Sequence, residues 1–221
     1  MARTLCSNGS TGNFLCATGD CESGKIECPG RQYSWSPVTY LYFRIDIGGV
    51  SSYFISLEYG YNLPIKVVPS QTSPTCFSSG CMVDLKETCP EDLDLFDGGK
   101  QIGCVSACRR YDTPEICCSQ EFKTKQKCKP TMYTRNFERA CPFVYSYPYH
   151  DFTSTWTCPT STDFVVTFCP SSVPNNTRIS MGLEAGPKHN SSQKRLSRFS
   201  CVNHYHCDCG NGESKECEKK E

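Results

Sequence analysis

A histidine and a carboxylate stand side by side at His150 and Asp151, where they could act as an acid and a base. Such a pair does chemistry only when it lies within hydrogen-bonding reach of a substrate, usually with a nucleophile or an activated water. No nucleophile motif accompanies it, and a lone histidine in a loop is more often a solvated or structural side chain. The pair is therefore a weak indication of catalysis.

A second group of reactive side chains lies near the end of the chain. It comprises Cys201, His204, His206, Cys207, Cys209 and Cys217. These are ligand types that zinc accepts, but their spacing is not that of paired C-x-x-C sites. Extra disulfides, an adventitious metal site and a mis-spliced exon remain three open interpretations. We predict neither a metal nor a cofactor for this protein.

Cysteine is the dominant feature of the composition, with 19 among 221 residues. This density indicates a disulfide scaffold formed in an oxidising compartment. Hydrophobic residues reach only 38% with cysteine included, so cross-links must supply part of the stability. Two observations conflict with this interpretation. The N-terminus, MARTLCSNGS, lacks the apolar segment of a secretory signal, and the odd number leaves at least one cysteine unpaired within the chain.

Charge and hydropathy exclude several classes of function. The 23 basic and 23 acidic side chains cancel, so no overall field attracts nucleic acid or an anionic membrane. No run approaches the roughly 18 apolar residues that a membrane-spanning helix needs. We therefore predict no nucleic-acid partner and no membrane span. The acidic segment 84–97 and the lysine-rich segment 123–129 are most simply solvated faces.

The elements that position these residues are predicted to be mostly strands. Alternating apolar residues indicate strands at 38–47, 53–59, 61–68 and 163–169, with Leu41 and Phe43 facing inward and Tyr40 and Tyr42 outward. Helices are predicted only at 81–95 and 132–140. Residues 171–221, which are rich in Ser, Asn and Lys, are predicted to be a disordered tail.

Several cysteine-containing motifs occur in a characteristic order. They are ATGDCESGKIEC, YGYNLPI, CPEDL, CVSAC, EICCSQEF and the stretch KPTMYTRNFERACPFVYSYPYHDFTSTWTC. In this order, residues 2–170 closely resemble the thaumatin/osmotin family of plant pathogenesis-related proteins. The resemblance implies a mostly β fold: an incomplete thaumatin-like β-sandwich within residues 1–170, with strands at about 35–75 and 142–170. A disulfide-rich helix and loop region at about 76–141 and a small ribbon at about 1–33 would complete it.

The same resemblance implies seven disulfides, a connectivity that the sequence alone leaves open. The implied pairs are Cys6–Cys16, Cys21–Cys28, Cys76–Cys158, Cys81–Cys141, Cys89–Cys104, Cys108–Cys117 and Cys118–Cys128. The family's first cysteine, the partner of Cys169, has no counterpart, so Cys169 is expected to be unpaired. We interpret the chain as lacking the N-terminal strands of its domain, with an incomplete gene model or fragment favoured over an evolved short form. Because the family ends just after Cys169, a mis-spliced exon is the favoured interpretation of the tail.

Antifungal members of the family carry an acidic cleft lined by one arginine and four carboxylates. The arginine would lie in the missing segment, three carboxylate positions hold Tyr42, Phe54 and Tyr59, and only Asp151 is kept. Glu58 could substitute, although strand alternation predicts that it points away from Tyr59. A carboxylate pair for glycoside hydrolysis is poorly supported, so no catalysis is predicted. The aromatic residues are a sugar-stacking platform or, as the favoured interpretation, packing in the core or cleft floor.

The predicted function is that of a secreted, extracellular defence or stress-response protein that binds fungal-wall β-glucan or other wall carbohydrate as a monomer. An interaction module of the kind found in the ectodomain of a thaumatin-like receptor kinase is one alternative. A non-functional gene fragment is another, and a hydrolase is less favoured. Glycosylation is predicted at Asn8, Asn175 and Asn190 if the chain enters the secretory pathway.

Overall fold

The computed structural model describes residues 1–10, 12–28, 36–45, 49–150 and 154–170. Asp151 and residues 171–221, including Asn175 and Asn190, lie outside the described residues. The strands are β1 (Thr4–Asn8), β2 (Phe14–Thr18), β3 (Tyr40–Ile45), β4 (Val50–Ser56), β5 (Ile65–Pro69), β6 (Ser79–Cys81), β7 (Asp94–Asp97), β8 (Lys100–Cys104), β9 (Trp156–Pro159) and β10 (Phe164–Phe168). The helices are α1 (Ala107–Tyr111), α2 (Pro114–Cys117) and α3 (Met132–Ala140).

Two antiparallel three-stranded sheets enclose the core. Their strand orders are β3-β4-β9 and β10-β5-β6. Alternation along β4 and β5 buries Tyr53, Ile55, Ile65 and Val67 between the sheets. The ring of Phe164 on β10 reaches across to Tyr53, with 5.5 Å between ring centroids. The fold is therefore mostly β, as the sequence predicted.

The strands predicted at 38–47 and 163–169 are confirmed as β3 and β10, and the strand predicted at 61–68 is confirmed only from Ile65, where β5 begins. The strand predicted at 53–59 ends earlier, at Ser56, because residues 57–60 form a turn in which the Gly60 N–H donates to the Leu57 carbonyl at 2.9 Å. Gly60 has φ +97°, and a Cβ there would lie 2.5 Å from the Cys104 carbonyl oxygen. Only glycine suits this position.

The helix predicted at 132–140 is α3, whose N-cap Thr131 accepts a hydrogen bond from the Thr134 N–H at 3.2 Å. The helix predicted at 81–95 is wrong. That segment contains the end of β6, two short 3-10 helices (Leu85–Thr88 and Glu91–Leu93) and the start of β7. Pro90 disfavours a continuous α-helix here, because it restricts the preceding residue to extended backbone.

Seven disulfides cross-link the described residues, and they join the pairs that the family resemblance implies. They are Cys6–Cys16, Cys21–Cys28, Cys76–Cys158, Cys81–Cys141, Cys89–Cys104, Cys108–Cys117 and Cys118–Cys128. The first closes the β1-β2 ribbon, in which Cys6 and Cys16 are direct partners. Most of the others knit the region between β6 and β9.

Cys169 is also disulfide-bonded, so the expectation that it is unpaired is wrong. That expectation considered only the family's first cysteine as a partner for Cys169. The sequence contains four further cysteines after Cys169, all outside the described residues.

Candidate functional site

Strands β3 and β4 place two of the predicted site residues together. Tyr42 and Phe54 are direct cross-strand partners, and their rings stack with 4.9 Å between centroids and 21° between planes. Neighbours of this kind project from the same face of a sheet. Both are half-buried, because the opposite faces of these strands carry the core residues.

Further aromatic rings continue from this pair. Phe54 contacts Tyr145 edge-on at 5.1 Å, Tyr145 contacts His150 at 5.9 Å, and His150 contacts Tyr147 at 5.9 Å. Tyr145 is held beside β4 because its N–H donates to the Ile55 carbonyl at 2.9 Å. We call this set the aromatic row. It consists of Tyr42, Phe54, Tyr145, His150 and Tyr147.

His150 has a structural environment. Its Nδ1 accepts a hydrogen bond from the Ser146 N–H at 3.3 Å and lies 3.0 Å from the Ser146 hydroxyl oxygen. Its Nε2 lies 3.8 Å from a carboxylate oxygen of Glu138, and the side chain is buried. Both ring nitrogens thus have protein neighbours, which favours the structural interpretation over an acid–base role.

Tyr59 occupies a separate position in the 57–60 turn. Its ring contacts Tyr40 at 6.1 Å, and the Arg109 guanidinium lies 5.5 Å from its centroid, a cation–π contact. The pKa of the Arg109 guanidinium is lowered, because the effect of burial exceeds the opposing effects of Tyr59 and Glu22. Arg109 lies there because Tyr61 and Cys104 exchange backbone hydrogen bonds of 2.8 Å, which bring α1 beside the turn. The sequence analysis missed Arg109, since no motif distinguishes it within CRRY.

Glu58 also lies in the turn, so the strand-alternation argument about its direction does not apply. Its carboxylate accepts a hydrogen bond from the Ser56 hydroxyl at 3.0 Å. Burial raises the pKa of Glu58, and the Ser56 hydrogen bond offsets this in part.

Glu58→Gln is expected to raise the melting temperature at pH 7. Because the pKa of Glu58 is raised in the folded state, the protonated side chain contributes to the free energy of unfolding at low pH. This contribution is lost as the pH rises through the folded-state pKa. Glutamine keeps the Ser56 contact without the charge, so its advantage should disappear in acid. Calorimetry at both pH values checks this, with the exposed Glu27→Gln as control. An equal advantage at both pH values would contradict the expectation.

Comparison with known proteins identifies the family. Residues 1–170 match the Thaumatin family, which is three quarters of the chain. This chain belongs to the thaumatin family. A PR5-like receptor kinase of Arabidopsis thaliana is 41% identical to it over 198 residues, covering 87% of this chain and 30% of the kinase.

Shorter thaumatin-like relatives match a smaller part of the chain. A glucan endo-1,3-beta-glucosidase of Prunus avium is 38% identical, and pathogenesis-related protein 5 of Arabidopsis thaliana is 41% identical. Each alignment covers 76% of this chain and 69% of the relative. The chain thus spans about 70% of these thaumatin-like relatives and under a third of the kinase.

The described part of the thaumatin-like chain contains neither a candidate metal site nor a candidate membrane span. No group of three or more His, Cys, Asp or Glu side chains is placed there to hold a metal ion. Its helices are all too short or too polar to cross a membrane. Asn8 is exposed at the end of β1, and its glycosylation stays a prediction.

Proposed function

We propose that this protein is a secreted defence or stress-response member of the thaumatin family that binds β-glucan or another wall carbohydrate through its aromatic row, without hydrolysis. The observation that supports this most is the stacked pair Tyr42 and Phe54. These two aromatic residues occupy positions at which the family resemblance implies carboxylates. Aromatic residues offer flat apolar area to a sugar ring, and the Tyr42 hydroxyl makes no hydrogen bond to another described residue.

The absence of hydrolysis is part of this proposal. Glycosidases need two carboxyl groups at a defined separation, one to protonate the leaving oxygen and one as base or nucleophile. Tyr42, Phe54 and Tyr59 supply none, and Glu58 is already bonded to Ser56. The printed name of the Prunus avium relative makes β-1,3-glucan the natural ligand to test.

The full chain is expected to bind laminarin oligosaccharides without releasing new reducing ends. Tyr42→Ala should weaken binding about fivefold, because a lost aromatic contact costs on the order of 1 kcal/mol. Isothermal titration measures the affinity, and a reducing-sugar assay measures cleavage. Phe96→Ala removes an exposed aromatic ring on β7 and is the matched control.

Three results would contradict the proposal. Unchanged affinity in Tyr42→Ala would mean that the aromatic row only packs the cleft floor, and no detectable binding would remove the carbohydrate function. Laminarin hydrolysis abolished by Asp151→Asn would show that the chain is an enzyme. Thermal melts of each variant separate loss of binding from loss of folding.

A second candidate function is the extracellular recognition module of a receptor kinase. The alignment with the PR5-like receptor kinase covers 87% of this chain, more than the 170 residues of the family match, so it includes part of residues 171–221. The other two relatives reach only 76%. A tail shared with a receptor favours this candidate over a mis-spliced exon.

The transcript that encodes this chain distinguishes the two candidates. An apolar helix followed in frame by kinase motifs would establish a receptor. A stop immediately after the tail would favour a free defence protein.

A further inference from the structure

A surface pocket lies in the disulfide-rich region and shares no residue with the aromatic row. Its volume is about 520 Å³, within the usual range for small-molecule sites. One wall is the exposed face of α3, and the other is the segment around Pro90. The described lining residues are Thr88, Pro90, Met132, Tyr133, Arg135, Asn136 and Arg139.

Two cations of this pocket are available to a ligand. Arg135 and Arg139 are four residues apart on α3, so their side chains lie on one face of the helix. Both are exposed, and neither guanidinium has a hydrogen bond or ion pair with another described residue. No acidic residue occurs among the described lining residues, so the two arginines give the lining a positive charge, while the nearby Asp92 carboxylate accepts from the Tyr133 hydroxyl.

The other walls are held in place by hydrogen bonds. The Asn136 side-chain N–H donates to the Thr88 carbonyl at 2.8 Å, which fixes the amide and directs its oxygen away from that bond. The Tyr133 hydroxyl donates to the Asp92 carboxylate at 2.6 Å and lies 2.7 Å from the Tyr111 hydroxyl. The hydrogen bond to Asp92, and to a smaller extent the contact with Tyr111, raise the pKa of Tyr133, so the side chain stays a neutral phenol.

Apolar surface completes the pocket. Met132 is 75% exposed, an unusual position for a methionine, and it lines the pocket together with Pro90 and the Tyr133 ring. Sugar rings present apolar C–H faces to such surfaces, and the Asn136 amide oxygen can accept from a hydroxyl group. Paired guanidinium groups match the planar, bidentate geometry of carboxylates.

We propose that this pocket binds a carboxylate-bearing oligosaccharide, that is, one containing uronic acid residues. The guanidinium groups of Arg135 and Arg139 receive the carboxylates, and Tyr133, Met132 and Pro90 contact the ring faces. Charge complementarity selects an acidic over a neutral sugar, and the apolar wall selects a saccharide over a bare inorganic anion. This site is independent of the glucan interaction proposed above.

The test uses the full chain and a galacturonate oligomer as the probe, titrated calorimetrically at low and physiological salt. Arg135→Ala/Arg139→Ala is expected to weaken binding by about tenfold or more, because each lost charge-assisted contact is among the stronger hydrogen bonds. Lys123→Ala/Lys127→Ala removes the same charge from an exposed loop and should leave the affinity within about twofold. A neutral glucose oligomer of equal length should not compete.

Several results would overturn the proposal. They are no binding of the galacturonate oligomer, equal losses in the arginine and lysine pairs, and full competition by millimolar inorganic phosphate, which would indicate a general anion site. Preferential binding of the wild type to vesicles containing phosphatidylserine would indicate a membrane surface instead. The Tyr42→Ala variant should bind the galacturonate oligomer with wild-type affinity. The proposal for this pocket can therefore fail independently of the proposal for the aromatic row.

Discussion

Replacing Asp20 with alanine is expected to lower the free energy of unfolding by about 3–5 kcal/mol, because it leaves a buried guanidinium without its counter-charge. Asp20 and Arg3 form an ion pair with an N–O distance of 3.2 Å, and their side chains are 9% and 2% exposed. The Asp20 carboxylate also accepts hydrogen bonds from the Cys16 and Glu22 N–H groups. Urea denaturation followed by circular dichroism measures the loss.

The loss should be large because Arg3 cannot easily turn toward water. Its guanidinium donates to the carbonyls of Lys25 at 2.8 Å and Ile26 at 3.1 Å. It also lies 4.7 Å from the centroid of the Phe14 ring. These contacts hold the charge between the β1-β2 ribbon and the loop that Cys21–Cys28 closes, so exposing it would disrupt both.

Two controls identify the cause of this loss. Asp97→Ala removes an exposed carboxylate and should change stability by no more than about 0.5 kcal/mol. The double variant Arg3→Met/Asp20→Ala should lose less unfolding free energy than the two single variants lose together, because it leaves no unpaired charge. A loss below about 1 kcal/mol in Asp20→Ala would mean that the pair is already solvated in the folded protein.

Removing the Cys76–Cys158 disulfide is the second change with a large expected effect. Its cysteines are 82 residues apart in sequence, the longest span among the disulfides of the described residues. Cys158 lies on β9 opposite Ser51, whereas Cys76 lies between β5 and β6. The bond therefore joins the two sheets that enclose the core.

Cys76→Ala/Cys158→Ala is expected to lose between about 3.4 and 4.5 kcal/mol of unfolding free energy. The upper value treats all the residues between Cys76 and Cys158 as one open loop. The lower value takes into account that the Cys81–Cys141 disulfide already closes part of this loop. Urea denaturation of the oxidised protein measures the difference, and peptide mapping confirms the other pairs. Because the chain has many cysteines, mapping also shows whether any pair rearranges.

The Cys6–Cys16 disulfide is the internal comparison. It spans only 10 residues within one ribbon, so Cys6→Ala/Cys16→Ala should lose less, about 2.7 kcal/mol. A reversed order of the two losses would show that loop closure does not control the contribution of these cross-links. In that case packing around each sulfur pair would be the main cause.

Much of the fold could be predicted from local patterns. Strands β3, β5 and β10 show the two-residue alternation of apolar side chains, and α3 follows an N-capping threonine. The secondary-structure predictions were wrong where tertiary contacts override the local sequence pattern. The segment 81–95 has helical composition, yet disulfides at Cys81 and Cys89 attach its two parts to different partners, Cys141 and Cys104.

The candidate site was predicted only in part. The resemblance led to the prediction that Tyr42 and Phe54 belong to one site, and strand pairing explains why their rings stack. Tyr145 joins them from 91 positions further along the chain, as a parallel bridge between Ser56 and Tyr145 extends the contact with β4. No periodicity within either segment contains that information.

The sequence by itself determined the cysteine-rich scaffold and the mostly β architecture. These features depend on residue type and on spacing between near neighbours, which local patterns record. Only the tertiary structure decided that Arg109 lies over Tyr59, that Asp20 neutralises Arg3 and that a cationic pocket forms beside α3. Each of these depends on how turns and cross-links bring distant segments together, and a single glycine turn, such as Gly60, changes which side chains meet.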